Sequence, residues 1–161
     1  MTLAIIGIGI PGSGKTTVLK PFADRTGFAY VNRDDIREEL LGDAEDQSHN
    51  RLIWEEANLR TKEAVERGES VVLDSAFVDA WKREHMIAYL RELGIATVIG
   101  AYADVPLAVA KERNEARERV VPEYVLDAMH AKLAAAPPSL DEGFDALVPL
   151  DEIERLGDRI S

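Results

Sequence analysis

The 161-residue sequence contains no cysteine. A disulfide scaffold and a thiolate metal site are therefore excluded. It also lacks any apolar run of the roughly 18–20 residues that a bilayer-spanning helix needs. The apolar stretch Leu3–Ile10 is too short for the core of a signal peptide, has no basic start, and runs straight into a glycine-rich turn. It reads as a buried strand, and the chain as a cytoplasmic protein. Histidine is scarce, and His49, His85 and His130 show no metal spacing, so structural or exposed positions are expected for them. Positive charge is short too: 19 Lys and Arg stand against 30 Asp and Glu, a formal net charge of −11. That balance argues against broad, sequence-indifferent nucleic-acid binding, which needs a basic surface. The excess is uneven, with seven acidic and two basic groups in residues 139–161, and a local basic cleft stays compatible with it. No repeat, low-complexity tract or linker appears, and the length fits one domain over residues 1–161.

What is present is alternation. Leu3–Ile8, Phe28–Val31, Val71–Leu73, Thr97–Tyr102 and Ala146–Val148 read as strands. They are mostly continuous apolar runs, as strands covered on both faces require. Helical spacing lies between them: Trp54, Ala57, Thr61, Ala64 and Val65 share a face, as do Trp81, His85, Ala88 and Tyr89, and Leu126, Met129 and Leu133. Trp54 and Trp81 are expected in the core or in a groove wall. Pro106 and Pro122 suit first helical turns, and Pro137–Pro138 stops the last long helix. Such alternation implies an α/β fold with right-handed crossovers and a parallel sheet. Ligands then sit at the carboxyl ends of the strands.

The first of those ends carries Gly9-Ile10-Pro11-Gly12-Ser13-Gly14-Lys15-Thr16, a full match to G-x-x-x-x-G-K-[ST] between a strand and a helix. Its glycines let main-chain amides curl around a phosphate, and the following helix start adds favourable partial charge. Gly9, Pro11, Gly12, Ser13, Gly14, Lys15, Thr16 and Thr17 are the candidate ATP-binding residues. Lys15 is expected at the β- and γ-phosphates and the Thr16 hydroxyl in the shell of Mg2+, a hard cation that prefers oxygen. The motif specifies nucleotide binding and leaves the phosphoryl acceptor open.

The second strand ends in Asn32-Arg33-Asp34-Asp35-Ile36-Arg37. Transfer to a hydroxyl needs a base near that hydroxyl, and Asp34 is the candidate. Arg37, three residues on, shares its helix face and suits a bidentate contact to an acceptor phosphate or carboxylate. An equally weighted alternative has Asn32 or Asp34 merely capping a helix. Asp74, at the end of Val71–Leu73, is a candidate for the magnesium shell or for orienting the acceptor, with Ser75 assisting; ending a strand is the plainer reading. Arg113 and Arg117, four apart, suit either a lid that neutralises the transferred phosphoryl group or a solvated face laced with Glu112, Glu115 and Glu118.

Four stretches, in order, resemble the kinase domain of phage-type polynucleotide 5′-kinases: Gly9–Thr17, Asn32-Arg33-Asp34-Asp35-Ile36-Arg37, Val72-Leu73-Asp74-Ser75, and Arg113-Asn114 with Arg117 before Val121-Pro122. The likeness covers roughly residues 1–135. It implies a P-loop NTPase fold with five parallel strands in the order 2-3-1-4-5, flanked by helices and closed by an arginine-bearing lid. It implies Asp34 as general base, Arg37 on a substrate phosphate, Arg113 and Arg117 as lid arginines, and a DNA or RNA 5′-hydroxyl end as acceptor. Ser75-Ala76 stands where that family often has Thr-Asn. No D-x-D phosphatase pattern follows, so 3′-end processing is not expected. Two other readings remain: a kinase of small molecules such as antibiotics, sugars or nucleotides on the same frame, and a nucleotide-dependent binding module with no acceptor.

Overall fold

A computed structural model describes residues 2–160, with only the backbone of Ile160. The single domain expected over 1–161 therefore extends to Met1 and Ser161, which lie outside the described residues. Five parallel strands form one sheet: β1 (Leu3–Ile8), β2 (Ala29–Asn32), β3 (Val71–Asp74), β4 (Thr97–Tyr102) and β5 (Ala146–Pro149). Their spatial order is β2-β3-β1-β4-β5, as the resemblance implies. The central strand β1 is buried from Ala4 to Ile8, which explains its unbroken apolar run.

Helices cover both faces. Ile5, Val72 and Ala101 on one face pack with Leu19 and Phe22 of α1 (Lys15–Thr26) and Ile153 of α7 (Leu150–Ile160). Ala4, Ile6, Val71 and Leu73 on the other pack with Ile53, Ala57 and Ala64 of α3 (Asn50–Glu66) and with Met86, Ile87 and Leu90 of α4 (Ala80–Glu92). The shorter α2 (Arg33–Leu41) follows β2 directly, while α5 (Leu107–Glu115) and α6 (Glu123–Ala135) follow β4.

Three expectations need correction. First, the face shared by Trp81, His85 and Ala88 is not the inner face of α4: all three are exposed and Tyr89 is half-buried, although Trp81 does stand in a groove wall as expected. The inner face is Arg83, Met86, Ile87 and Leu90. A fully buried arginine interrupts its apolar pattern. Its charge is matched by Glu142, through Nε–Oε1 at 2.7 Å and Nη2–Oε2 at 2.8 Å, and by the carbonyls of Phe77 and Ala136 at 2.7 and 2.6 Å. Second, Pro106 and Pro122 stand one residue before α5 and α6, in extended backbone with ψ near 140°. Third, α6 does stop before Pro137, but it is not the last helix: α7 follows β5. Gly157 lets α7 close on α1, because a Cβ there would lie 3.0 Å from the Phe22 ring.

Candidate active site

Strand register builds the site. Asn32 pairs with Asp74, and Asp74 pairs with Gly7, so three strand ends lie side by side. Gly7 opens into the glycine turn, Asp74 ends β3, and Asn32 starts α2. Among them lies a cleft of about 920 Å3. It brings together all of the candidate residues, Gly9 to Thr17, Asp34, Arg37, Asp74, Ser75, Arg113 and Arg117.

The glycine turn has the conformation its residues suggest. Gly12 and Gly14 adopt φ of 82° and 88°, the left-handed region that side chains disfavour. Gly12 is fixed twice over, since a Cβ would lie 2.2 Å from the Ala110 carbonyl oxygen. The turn is thus pressed against α5. Gly14 precedes α1 without a side-chain cap, and the first turn of α1 carries no acidic residue. The uncapped amides and positive helix end suit an anion. The Ser13 hydroxyl is buried without a partner.

Asp74 is the hub of the phosphate end. Its carboxylate accepts from Lys15 Nζ at 2.7 Å, from Thr16 Oγ1 at 2.8 Å, and from the Tyr30 hydroxyl. Burial alone would raise this carboxyl, but the Lys15 ammonium and the three hydrogen bonds outweigh it and hold Asp74 below the ordinary carboxylate range. Tyr30 is pushed well above a normal phenol, first by burial and then by Asp74, and stays a neutral donor. Asn32 Nδ2 donates to the Tyr30 hydroxyl at 3.1 Å. A polar chain thus links the α2 cap to the phosphate turn. Tyr30 escaped the sequence reading, although it lies two residues before Asn32 and so shares its strand face.

At the acceptor end the capping question is answered by Asn32. Its Oδ1 accepts from the Asp34 and Asp35 amides at 2.9 and 3.1 Å. The Asp34 carboxylate is free of that duty, and its side chain is 57% exposed. Arg37 differs from expectation. It is buried, with Nη1 on Asp34 Oδ1 at 2.7 Å and on the Ala44 carbonyl at 3.4 Å, and Nη2 on Asn50 Oδ1 at 3.2 Å. Its η nitrogens, expected on an acceptor anion, are already engaged with Asp34 and Asn50, while its buried Nε has no partner. Ser75 also departs: its hydroxyl accepts from Arg33 Nε at 3.0 Å. Arg113 Nη1 reaches the Ser13 carbonyl at 3.5 Å, beside the phosphate turn. Asn114 braces the segment between α5 and α6 through two bonds to Val121, at 2.7 and 3.0 Å. Arg119 in that segment, unremarked in the sequence, pairs across the cleft with Asp35 at 3.0 Å and with Glu38.

The oxygen set of Thr16 and Asp74 fits a hard divalent cation that completes its shell with phosphate oxygens and water. Among the described residues no cluster of three or more His, Asp or Glu offers a separate metal site. None of the described helices is long and apolar enough to cross a membrane.

Sheet order and phosphate turn together define a kinase-like P-loop nucleotide-binding protein. A family model described as "AAA domain" matches residues 5–136, and the chain belongs to that family. Solved structures share the fold. A sugar kinase from Janibacter sp. HTCC2649 is 23% identical, with TM-score 0.66, covering 99% of this chain and 92% of its own. A chain of the Pnkp1/Rnl/Hen1 RNA repair complex is 20% identical with TM-score 0.75 over 89% of this chain, which spans 46% of that one. A gluconokinase from Sinorhizobium meliloti 1021 is 19% identical with TM-score 0.58, covering 99% and 94%.

Proposed function

We propose that residues 1–161 form one ATP- and Mg2+-dependent kinase domain that moves the γ-phosphoryl group to a hydroxyl acceptor. The carrying observation is the shared cleft: the exposed Asp34 carboxylate, held by Arg37, lines the same cleft as the Lys15–Asp74–Thr16 cluster. Lys15 and the turn amides neutralise the β- and γ-phosphates. Thr16 and Asp74 hold Mg2+, which when bound spreads the phosphate charge. Asp34 takes the hydroxyl proton as the acceptor oxygen bonds to the γ-phosphorus and the bond to ADP breaks. Arg37 positions Asp34 through their ion pair. Arg113 and Arg117 balance charge on the transferred group from the α5 side.

The acceptor we favour is the 5′-hydroxyl end of DNA or RNA, on the strength of Asn32-Arg33-Asp34-Asp35-Ile36-Arg37 joined to this phosphate loop. A second reading, a small hydroxyl compound, is supported by the net charge of −11, which disfavours a long polyanion. The test is incubation with labelled ATP, magnesium and a panel of oligonucleotides, nucleosides and sugars with free hydroxyls. Transfer to oligonucleotide 5′ ends supports the first reading, and transfer to one small compound alone supports the second. ATP hydrolysis without transfer to any acceptor, or full turnover in excess chelator, contradicts the kinase.

A further inference from the structure

Arg33 is held in an unusual way. Its guanidinium lies 4.9 Å from the centre of the Trp54 ring and 5.5 Å from that of Phe77. Its Nε donates to Ser75 Oγ at 3.0 Å. Phe77 takes φ of 49°, which a non-glycine residue rarely adopts, and its carbonyl is bonded by the buried Arg83. Plane and rotation of the guanidinium are therefore both fixed. Among the described residues neither η nitrogen has a hydrogen-bond partner, and no carboxylate stands within ion-pair distance. Arg33 nevertheless lines the cleft, between Asp34 on α2 and Ser75 beyond Asp74. Burial makes its charge costly and lowers its pKa, with Arg37 adding to the shift and the Asp34 carboxylate opposing it. A half-buried cation, braced on three sides and without an ion-pair partner, is complementary to an anion that arrives from the cleft.

We infer that Arg33, rather than Arg37, recognises the acceptor, and that the acceptor carries a phosphate or carboxylate near the hydroxyl to be phosphorylated. This rests on the kinase reading of the same cleft. The planar fork offers two parallel N–H donors, the arrangement that fits a phosphate or carboxylate edge. Because the fork is already immobilised, little side-chain freedom is lost when the anion binds. Arg37 has less capacity, since both of its η nitrogens are engaged within the protein and its one unpartnered donor, Nε, is buried.

The test uses matched acceptors: nucleoside against nucleoside 3′-monophosphate, and glucose against gluconate. The wild type should prefer the anionic member of the pair it accepts by about 10- to 150-fold in kcat/KM, the range for one charged hydrogen bond. Arg33→Gln should collapse that ratio towards one while leaving the KM for ATP within about twofold, and Arg33→Lys should keep part of it. Thermal melting of both variants separates loss of recognition from loss of fold. A preference that survives in folded Arg33→Gln overturns the inference, as does an equal rise in the KM for ATP. Calorimetry gives a second arm that needs no turnover, titrating nucleoside 3′-monophosphate or gluconate into protein saturated with magnesium and a non-hydrolysable ATP analogue. Binding lost in Arg33→Gln with no transfer in the wild type sustains Arg33 and sinks the kinase. No binding of either anion to the wild type overturns Arg33.

Discussion

In the proposed mechanism Asp34 and Lys15, which line one cleft, carry separable duties, and single substitutions should separate them. Asp34→Asn preserves shape and leaves the helix cap intact, because Asn32 supplies the cap. It removes the proposed base, so turnover should fall by about 10²- to 10⁴-fold. ATP affinity, measured by equilibrium titration, should stay within about threefold, because Asp34 does not touch the phosphate turn; retained turnover with a lower melting temperature would return Asp34 to a structural role. Lys15→Ala should cost on the order of 10²-fold or more in transfer. It also strips Asp74 of the cation that holds its charge in a buried position, so weaker nucleotide binding should accompany the loss. A variant keeping more than about half the wild-type rate would refute the phosphate-loop assignment. At this scale the sequence was informative about motif residues and silent about their partners. Asp74 could be chosen from its position at a strand end, whereas position alone leaves Asp34 level with a helix-cap role and the family resemblance singles it out. That Arg37 would be closed around Asp34, and Arg33 left open, depends on Asn50, Trp54 and Phe77, which meet them only in the folded chain.

Secondary elements were legible where the apolar period was clean. Strands β1, β3 and β4 are near-continuous apolar runs, and α3 keeps its face of Ala57, Thr61 and Ala64. The face of α4 was misread because Arg83 occupies its centre and a buried charge looks like a surface residue in sequence. The α7 segment was missed because acidic residues dominate it, although Leu150, Ile153 and Leu156 recur at helical spacing. The Arg83 lock ties α4, the Phe77 turn and the 3-10 turn Leu140–Glu142 together. Glu142→Gln should therefore destabilise the protein by about 3–5 kcal/mol, since the fully buried guanidinium loses its counter-charge. Urea unfolding reads that directly. The double variant Arg83→Met with Glu142→Leu, which removes both charges, should recover most of the loss. A Glu142→Gln midpoint equal to wild type would show that the carbonyls of Phe77 and Ala136 satisfy Arg83 unaided.

Across the whole molecule, a net charge of −11 has to be weighed against the anionic acceptor we propose. Most of the cleft's cations are paired internally. Lys15 is paired with Asp74, Arg37 with Asp34, Arg51 with Glu55, Lys82 with Asp79, and Arg119 with Asp35 and Glu38. Among the described residues the cleft's Arg33, Arg113 and Arg117 have no carboxylate partner. Arg113 stands at the phosphate turn, so little unpaired charge faces the acceptor end. Recognition of a nucleic-acid end would then involve one or two phosphates rather than a basic surface. Each phosphate neutralised on a single strand contributes about −0.7 to the slope of log affinity against log salt. For a single-stranded oligonucleotide with a free 5′-hydroxyl, the slope of log kcat/KM against log salt should lie between about −0.7 and −1.4. Measured across a tenfold range of potassium chloride at saturating ATP, it should match the slope for a nucleoside 3′-monophosphate within about one contact. A slope of about −3 or steeper for the oligonucleotide would mean that a broad positive surface binds the strand, against the charge distribution found here.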